Sequence, residues 1–221
     1  MSLAGPGRRV AAIDVGTNTV LLLVAEALDG RLRALAERAE ITRLGRGVDA
    51  TGRLDPAAIA ATAEVLGRYA AEARALGAER IACVATSAAR DAANGADFFA
   101  AVSAAAGLTP EIISGDEEAR LVWRSAWRDF GVEGRTLAVL DVGGGSTELC
   151  FGDGPAPGSR RSVQVGAVRL TERHVREDPI GPATLAGLPQ LVLSDPRGER
   201  QTPVASGGEL STPAWGPLPR D

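Results

Sequence analysis

The sequence contains no lysine, and all 24 of its basic residues are arginine. A lysine on a phosphate group or in a Schiff base is therefore excluded. The single histidine, His174, and two cysteines, Cys83 and Cys150, do not supply a zinc site. Both cysteines fall in apolar, strand-like runs and read as buried free thiols. Aromatic residues make up only 4% of the chain, so the core has to be built from Ala, Val, Leu and Ile. No apolar run is long enough to span a bilayer, and the opening "MSLAGPGRRV" has no apolar leader core. The expectation is a cytoplasmic protein that contacts no membrane. A net charge of −4 gives no global positive field, so nucleic acid is not an expected partner. A polyanionic ligand would need a local cluster of arginines.

What the chain does have is organisation. "RVAAIDV" (9–15) and "VLLLVAE" (20–26) are apolar runs of strand length, and a third strand is expected near 31–39. A long helix starts at "LDPAAI", with Asp55 as N-cap, Pro56 at the first helical position and Gly77 as the stop. Ile59, Ala63, Leu66, Ala70 and Ala73 form its buried stripe. Strands follow at 80–86 and 110–114, and one or two short helices lie between them. Ala119, Val122, Trp123, Ala126, Trp127 and Phe130 then mark an amphipathic helix. Three more strands are expected at 136–142, 147–152 and 162–168, then a helix over 169–178 stopped by Pro179. From residue 180 no helical period survives; an irregular tail is expected, with a short strand at 190–194.

Two short stretches carry the chemistry. "DVGTNT" and "DVGGGST" each run a buried strand through an aspartate into small and hydroxyl-bearing residues. Such a turn gathers backbone N–H groups into a nest for phosphate oxygens, and glycine lets the backbone approach closely. The expected phosphate-binding residues are Gly16, Thr17 and Asn18 in one turn and Gly143, Gly144, Gly145, Ser146 and Thr147 in the other. Asp14, Asp141 and Glu148 are the expected ligands of a divalent cation. Either turn alone is compatible with a plain hairpin; two matching ones suggest a polyphosphate gripped from both sides. In "SGDEEAR" (114–120), Ser114 and Glu117 form a capping box, which leaves Glu118 without a structural role. Glu118 is either a solvated acid of the first helical turn or a general base that activates water. Arg90 follows a buried strand directly, where α/β proteins place ligand contacts, and Arg43 and Arg46 sit in a glycine-bounded loop. Arg173, His174 and Arg176 read as a solvated helix face.

"AAIDVGTNTVLLLVA", "RLGRGVDATG", "ATSAARDAAN", "EIISGDEEARL", "LDVGGGSTEL" and "VGAVRLTERHVREDP" occur in the order found in a known family. Over about residues 9–179 the chain resembles the exopolyphosphatase / guanosine pentaphosphate phosphohydrolase family of the acetate and sugar kinase, heat-shock chaperone and actin superfamily. The resemblance implies an α/β, ribonuclease-H-like (actin-like ATPase) fold, with a complete N-terminal lobe over 9–130 after a flexible segment 1–8. An incomplete second lobe over 131–179 and the tail 180–221 would follow. It implies Mg²⁺-dependent release of terminal phosphate from polyphosphate, or of the 5′ γ-phosphate from guanosine pentaphosphate. Glu118 matches the family's catalytic glutamate and Arg90 a substrate-side arginine. Asp141, Gly143, Ser146 and Glu148 match its second phosphate and metal motif. Asp14, Thr17 and Asn18 match the first. Beyond "REDP" the likeness stops, and "VASGGELSTP" is a faint echo of a further motif. The expected consequence is apolar surface exposed at Val139, Leu149 and Val165, which favours a homodimer. A non-catalytic phosphate-binding remnant and an ATP-dependent kinase are the alternative functions.

Overall fold

The computed structural model describes residues 7–28 and 30–193, with side chains described as far as residue 187. Its first sheet contains β1 (Arg8–Val15), β2 (Thr19–Leu28), β3 (Arg31–Ile41), β4 (Arg80–Ala85) and β5 (Glu111–Ile112). The order is β3-β2-β1-β4-β5. The first three strands pair antiparallel, and β4 and β5 join parallel. This is the ribonuclease-H-like arrangement that the sequence led one to expect.

Helices α1 (Val48–Thr51) and α2 (Pro56–Ala75) carry the chain from β3 to β4, and α3 (Ser87–Asp91) and α4 (Gly95–Ala106) carry it on to β5. The Asp55 carboxylate accepts from Ala57 N at 2.8 Å and Ala58 N at 3.1 Å, which satisfies two of the free amides at the start of α2. Gly77, just past its end, adopts φ +80°, as a helix stop requires. The expected stripe from Ile59 to Ala73 is buried throughout against Ile13, Val15, Leu22 and Val24 of the sheet. Small residues bring α2 and α4 close together: a Cβ on Gly67 would sit 3.0 Å from the Ala105 carbonyl oxygen. The opposite face of the sheet leaves Leu21 45% exposed, so one face of this sheet holds the core.

Helix α5 (Gly115–Phe130) leads away from β5 and packs on a second, antiparallel sheet of β6 (Leu137–Val142), β7 (Thr147–Gly152) and β8 (Ser159–Val163). Among the described residues this sheet repeats only the antiparallel half of the first. Trp123 is fully buried, stacks on Trp127 with ring centroids 5.7 Å apart, and packs with Ala119 and Cys150. Both cysteines are free and buried, as expected.

The structure corrects several expectations. Phe130, expected to extend the apolar stripe of α5, is 73% exposed, because the stripe outruns the sheet beneath it. Val139 is not exposed surface: it packs against the Trp123 cluster, and Leu149 and Val165 are only half-buried. The uncovered face carries Leu140, Val142 and Phe151, one residue out of phase with Val139, and Leu149, paired to Leu140, lies on it too. β8 comes three residues earlier than expected, since Gly166 already caps α6 (Ala167–His174), which also ends before Pro179. Helix α7 (Pro182–Leu193) occupies the start of the expected irregular tail and most of the expected strand at 190–194. Pro182 opens it at a first-turn position, where a missing N–H costs nothing. The rest of the tail, "VASGGELSTP" included, lies outside the described residues.

The two ends of the α5 stripe should respond differently to truncation. Trp123→Ala is expected to cost about 3–5 kcal/mol in urea unfolding, as for a large buried aromatic residue. Phe130→Ala should stay within about 0.5 kcal/mol. Equal costs would contradict the packing described.

Candidate active site

β1 passes through Asp14 into Gly16, whose N–H donates to the Thr19 carbonyl at 3.0 Å. β6 passes through Asp141 into Gly143, whose N–H donates to the Ser146 carbonyl at 2.9 Å. The turns share one register, with each aspartate two residues before its glycine and paired to the residue seven positions later. They also touch. A Cβ on Gly144 would lie 3.1 Å from Thr17 Cβ, and one on Gly145 would lie 2.7 Å from Thr17 Oγ1 and 2.5 Å from Ser87 Oγ. Behind Gly144 a Cβ on Gly166 would come within 2.5 Å of the Gly144 carbonyl. The space left between Thr17, Ser87 and Gly145 is about 10 Å³, roughly room for one water.

Charged groups collect beside this junction. Ser114 caps α5 by accepting from Glu117 N at 3.1 Å. The Glu117 carboxylate pairs with Arg120 at 2.6–2.7 Å, so the return half of the expected capping box is not made. Glu118, one residue on, faces inward. Burial raises its pKa to about 7; the Glu148 charge and, more weakly, Asp14 add to this, and Arg90 opposes it. Arg90 Nη1 donates to Ile113 O at 2.9 Å and reaches Glu118 Oε2 at 3.4 Å. Its Nη2 is buried and has no hydrogen-bond partner. Asp14 Oδ1 is in the same condition, and burial, then the charge of Asp141, raise the Asp14 pKa. A buried donor and a buried acceptor without partners are costly unless something else completes them.

Other expected site residues are already committed within the protein. Thr147 Oγ1 donates to the Val165 carbonyl at 2.5 Å. Ser162 Oγ donates to Glu148 Oε1 at 2.7 Å, and Ser146 also bonds to this carboxylate, which is only 1% exposed. Asp14, Asp141 and Glu148 do not form a three-ligand cation site; among the described residues no three His, Cys, Asp or Glu side chains form such a group. The pair Asp14 and Asp141 remains, one with a bare buried oxygen. That suits Mg²⁺, which usually takes one or two carboxylates and completes its shell with waters and substrate phosphates. Asn18, Arg43 and Arg46 meet at an open groove of about 340 Å³ beside α6.

Sequence reasoning expected a helix here but missed what α6 does. Arg169 donates to Gly145 O at 2.9 Å, Asp49 at 2.6 Å, Asp91 at 2.7 Å and Gln164 at 2.9 Å. Arg173 grips both Asp49 oxygens at 2.6 Å, and Glu172 accepts from Gly47 N at 3.0 Å. Arg173 was expected on a solvated face, yet its side chain is 6% exposed. His174 is half-buried. The four-residue spacing of Arg169 and Arg173 puts both on one side of a helix, a signal that was available. Their partner Asp49, 120 residues away, was not legible. Through these pairs the turn at 143–146 is tied to α1 and α3 of the first sheet.

Comparison with known proteins places this arrangement. The Ppx/GppA phosphatase family model matches residues 23–208. Exopolyphosphatase 2 of Mycobacterium tuberculosis is 45% identical over 180 residues, 77% of this chain and 56% of that protein. A guanosine-5'-triphosphate,3'-diphosphate pyrophosphatase of Vibrio cholerae is 33% identical over 177 residues, 80% of this chain and 35% of the relative. The solved Ppx/GppA enzyme of Aquifex aeolicus superposes with a TM-score of 0.69 at 36% identity, over 85% of this chain and 62% of that one. The chain thus spans about a third to just over half the length of these curated relatives.

Two pH-dependent stabilities follow. Above pH 4.5 an unfolded Glu118 has lost its proton, while the folded one keeps it up to about 7. Folding is therefore penalised progressively between these values, by on the order of 3 kcal/mol in full. Glu118→Gln should raise the melting temperature more at pH 8 than at pH 5; an equal shift at both would contradict the buried carboxylate. Asp49 behaves oppositely: bonding to Arg173, then Arg169, lowers its pKa to about 2 from 3.8. That stability is complete above the unfolded value and fades as pH falls toward 2. Asp49→Asn should cost roughly 2 kcal/mol at pH 7 and markedly less at pH 3, read by urea unfolding.

Proposed function

Since the chain belongs to the Ppx/GppA phosphatase family, we propose that it is a phosphohydrolase that releases the terminal phosphate of inorganic polyphosphate or the 5′ γ-phosphate of guanosine pentaphosphate. The observation that carries this reading is the pairing of incomplete buried groups, Arg90 Nη2 and Asp14 Oδ1, beside Glu118 where the two glycine turns meet. A phosphoryl group would complete the first, and Asp14 would hold its accompanying cation through the second.

The chain's own residues divide the work as follows. Gly16 N–H and Gly143 N–H close their own turns, so the backbone amides of Thr17 and Asn18 and of Gly144 and Gly145 are the ones that donate to phosphate oxygens, and Arg90 donates to the reacting phosphoryl group. Asp14 and Asp141 would hold Mg²⁺, which when bound neutralises charge developing on the phosphate oxygens. Glu118 orients the attacking water and takes its proton. A pKa near 7 suits that task, because the group is then partly ionised and still basic at working pH. Ser146 and Ser162 hold Glu148, whose charge tunes Glu118. Arg169 fixes the Gly145 carbonyl, which leaves the amides of that turn free to face the substrate. Arg43 and Arg46 lie on the substrate side. The cytoplasm is where both substrates would be met.

A phosphate-binding protein without turnover is the second reading. Its support is the uncovered face at Leu140, Val142 and Phe151. Phosphate release with Mg²⁺ separates the two. With turnover present, Glu118→Gln should lower kcat by about 10²–10⁴ and change KM only a few-fold. Unchanged kcat would remove Glu118 from its role, and a folded wild-type chain that binds without releasing phosphate would favour the second reading.

A further inference from the structure

Two open grooves share the loop between β3 and α1. The groove of about 340 Å³ runs from Asn18 along Arg43 and Arg46 beside α6. The second, of about 820 Å³, contains Arg43 and Arg46 again and continues past Arg53 to the start of α2. Both therefore open on the same guanidinium groups, and the first begins at a phosphate-turn residue.

The loop is fixed, not draped. Thr42 N and Arg43 N both donate to Asn18 O at 3.0 Å, and Gly45 N donates to Thr17 O at 2.8 Å. Arg43 holds φ +52°, the left-handed region, and is the one non-glycine residue to do so among those described. Such a conformation costs about 1–2 kcal/mol and tends to persist where function needs a side chain aimed a particular way.

What sets these arginines apart from other unpaired surface arginines is that they line two grooves that share a loop. Acids line the grooves too, but each is engaged. Asp55 caps α2 and Glu172 accepts from Gly47 N. Among the described residues, Arg43, Arg46 and Arg53 have no side-chain hydrogen bond or ion pair, and all three are exposed. The result is a strip on which three guanidinium groups, none tied to an acid, outnumber two carboxylates in a chain whose net charge is −4. No aromatic side chain lines either groove, so nothing is offered for a base to stack on. The strip suits a polyanion that is all backbone.

We propose that Arg43, Arg46 and Arg53 form a track that holds the distal phosphates of an extended polyphosphate while its end lies between the glycine turns. The track rests on the phosphohydrolase reading for its orientation and adds selection by chain length: a short substrate ends before it.

The test is equilibrium binding of long-chain polyphosphate and of tripolyphosphate, with phosphate release measured separately. Wild-type protein should bind the long chain at least about tenfold more tightly. The triple variant Arg43→Asn, Arg46→Ala, Arg53→Ala should lose that preference; Asn at 43 tolerates the left-handed backbone. Its slope of log Kd against log salt should flatten by about two, roughly 0.7 for each guanidinium removed. A control, Arg31→Ala, Arg80→Ala, Arg135→Ala, removes equal charge from other exposed sites and should keep the preference. Thermal unfolding confirms that each variant is folded. Equal binding of long and short chains, a preference kept by the triple variant or abolished in the control, or tighter binding of a single-stranded oligonucleotide would overturn the track. Loss of preference in the triple variant alone, with no phosphate release from wild type, would sustain the track and sink the hydrolase.

Discussion

The contact on which everything else depends is between two turns whose side chains are almost absent. Thr17 lies tight against Gly144 and meets Gly145 at a distance no Cβ could share, and Gly166 presses on Gly144 from behind. These glycines are there because the turn backbone lies against the Thr17 and Ser87 side chains on one side and the Gly166 backbone on the other. Bringing the turns together brings their preceding aspartates together, and like charges at close range resist it. The opposing pull comes from α6, where Arg169 and Arg173 bond Asp49, Asp91 and the Gly145 carbonyl. A carboxylate cluster is thus held closed by a cationic helix on its far side.

That arrangement explains why the acids beside the turns are not equivalent. Glu148 is deep and bonded to two serines, and its charge acts on its neighbours more than on any ligand. Glu118 sits at the start of a helix, where the macrodipole favours ionisation, but burial and the acids opposite outweigh this and raise its pKa to about 7. Arg90 is near enough to moderate the shift without cancelling it. The chain without a ligand therefore keeps a group that takes up or gives up a proton near neutrality, close to an acceptor oxygen with nothing to accept from.

Much of the fold could be read in advance because its signals are local. Asp55-Pro56 at one end of α2 and Gly77 at the other state a helix within one turn of its true limits, and its alanine and leucine stripe names the buried face. The glycine turns, Glu118 and Arg90 were legible for the same reason: each lies in a short stretch whose chemistry is complete in itself. What failed was relational. Val139 and Leu140 have similar apolarity; which one is covered depends on strand phase against α5. Arg173 looks like any exposed cation until Asp49, contributed by another helix, is seen beside it. Thr147 and Glu148 belong to a suggestive motif, but Val165 and Ser162 engage them first.

One register position separates the twin hairpins. Opposite Asp14 the partner strand carries Leu21; opposite Asp141 it carries Glu148. A duplicated device with identical halves would present the same surface to either end of a linear guest and bind it in both senses. Replacing a hydrocarbon by an acid at a single rung makes the two halves electrically unlike, and a phosphate chain lying across them would meet different walls.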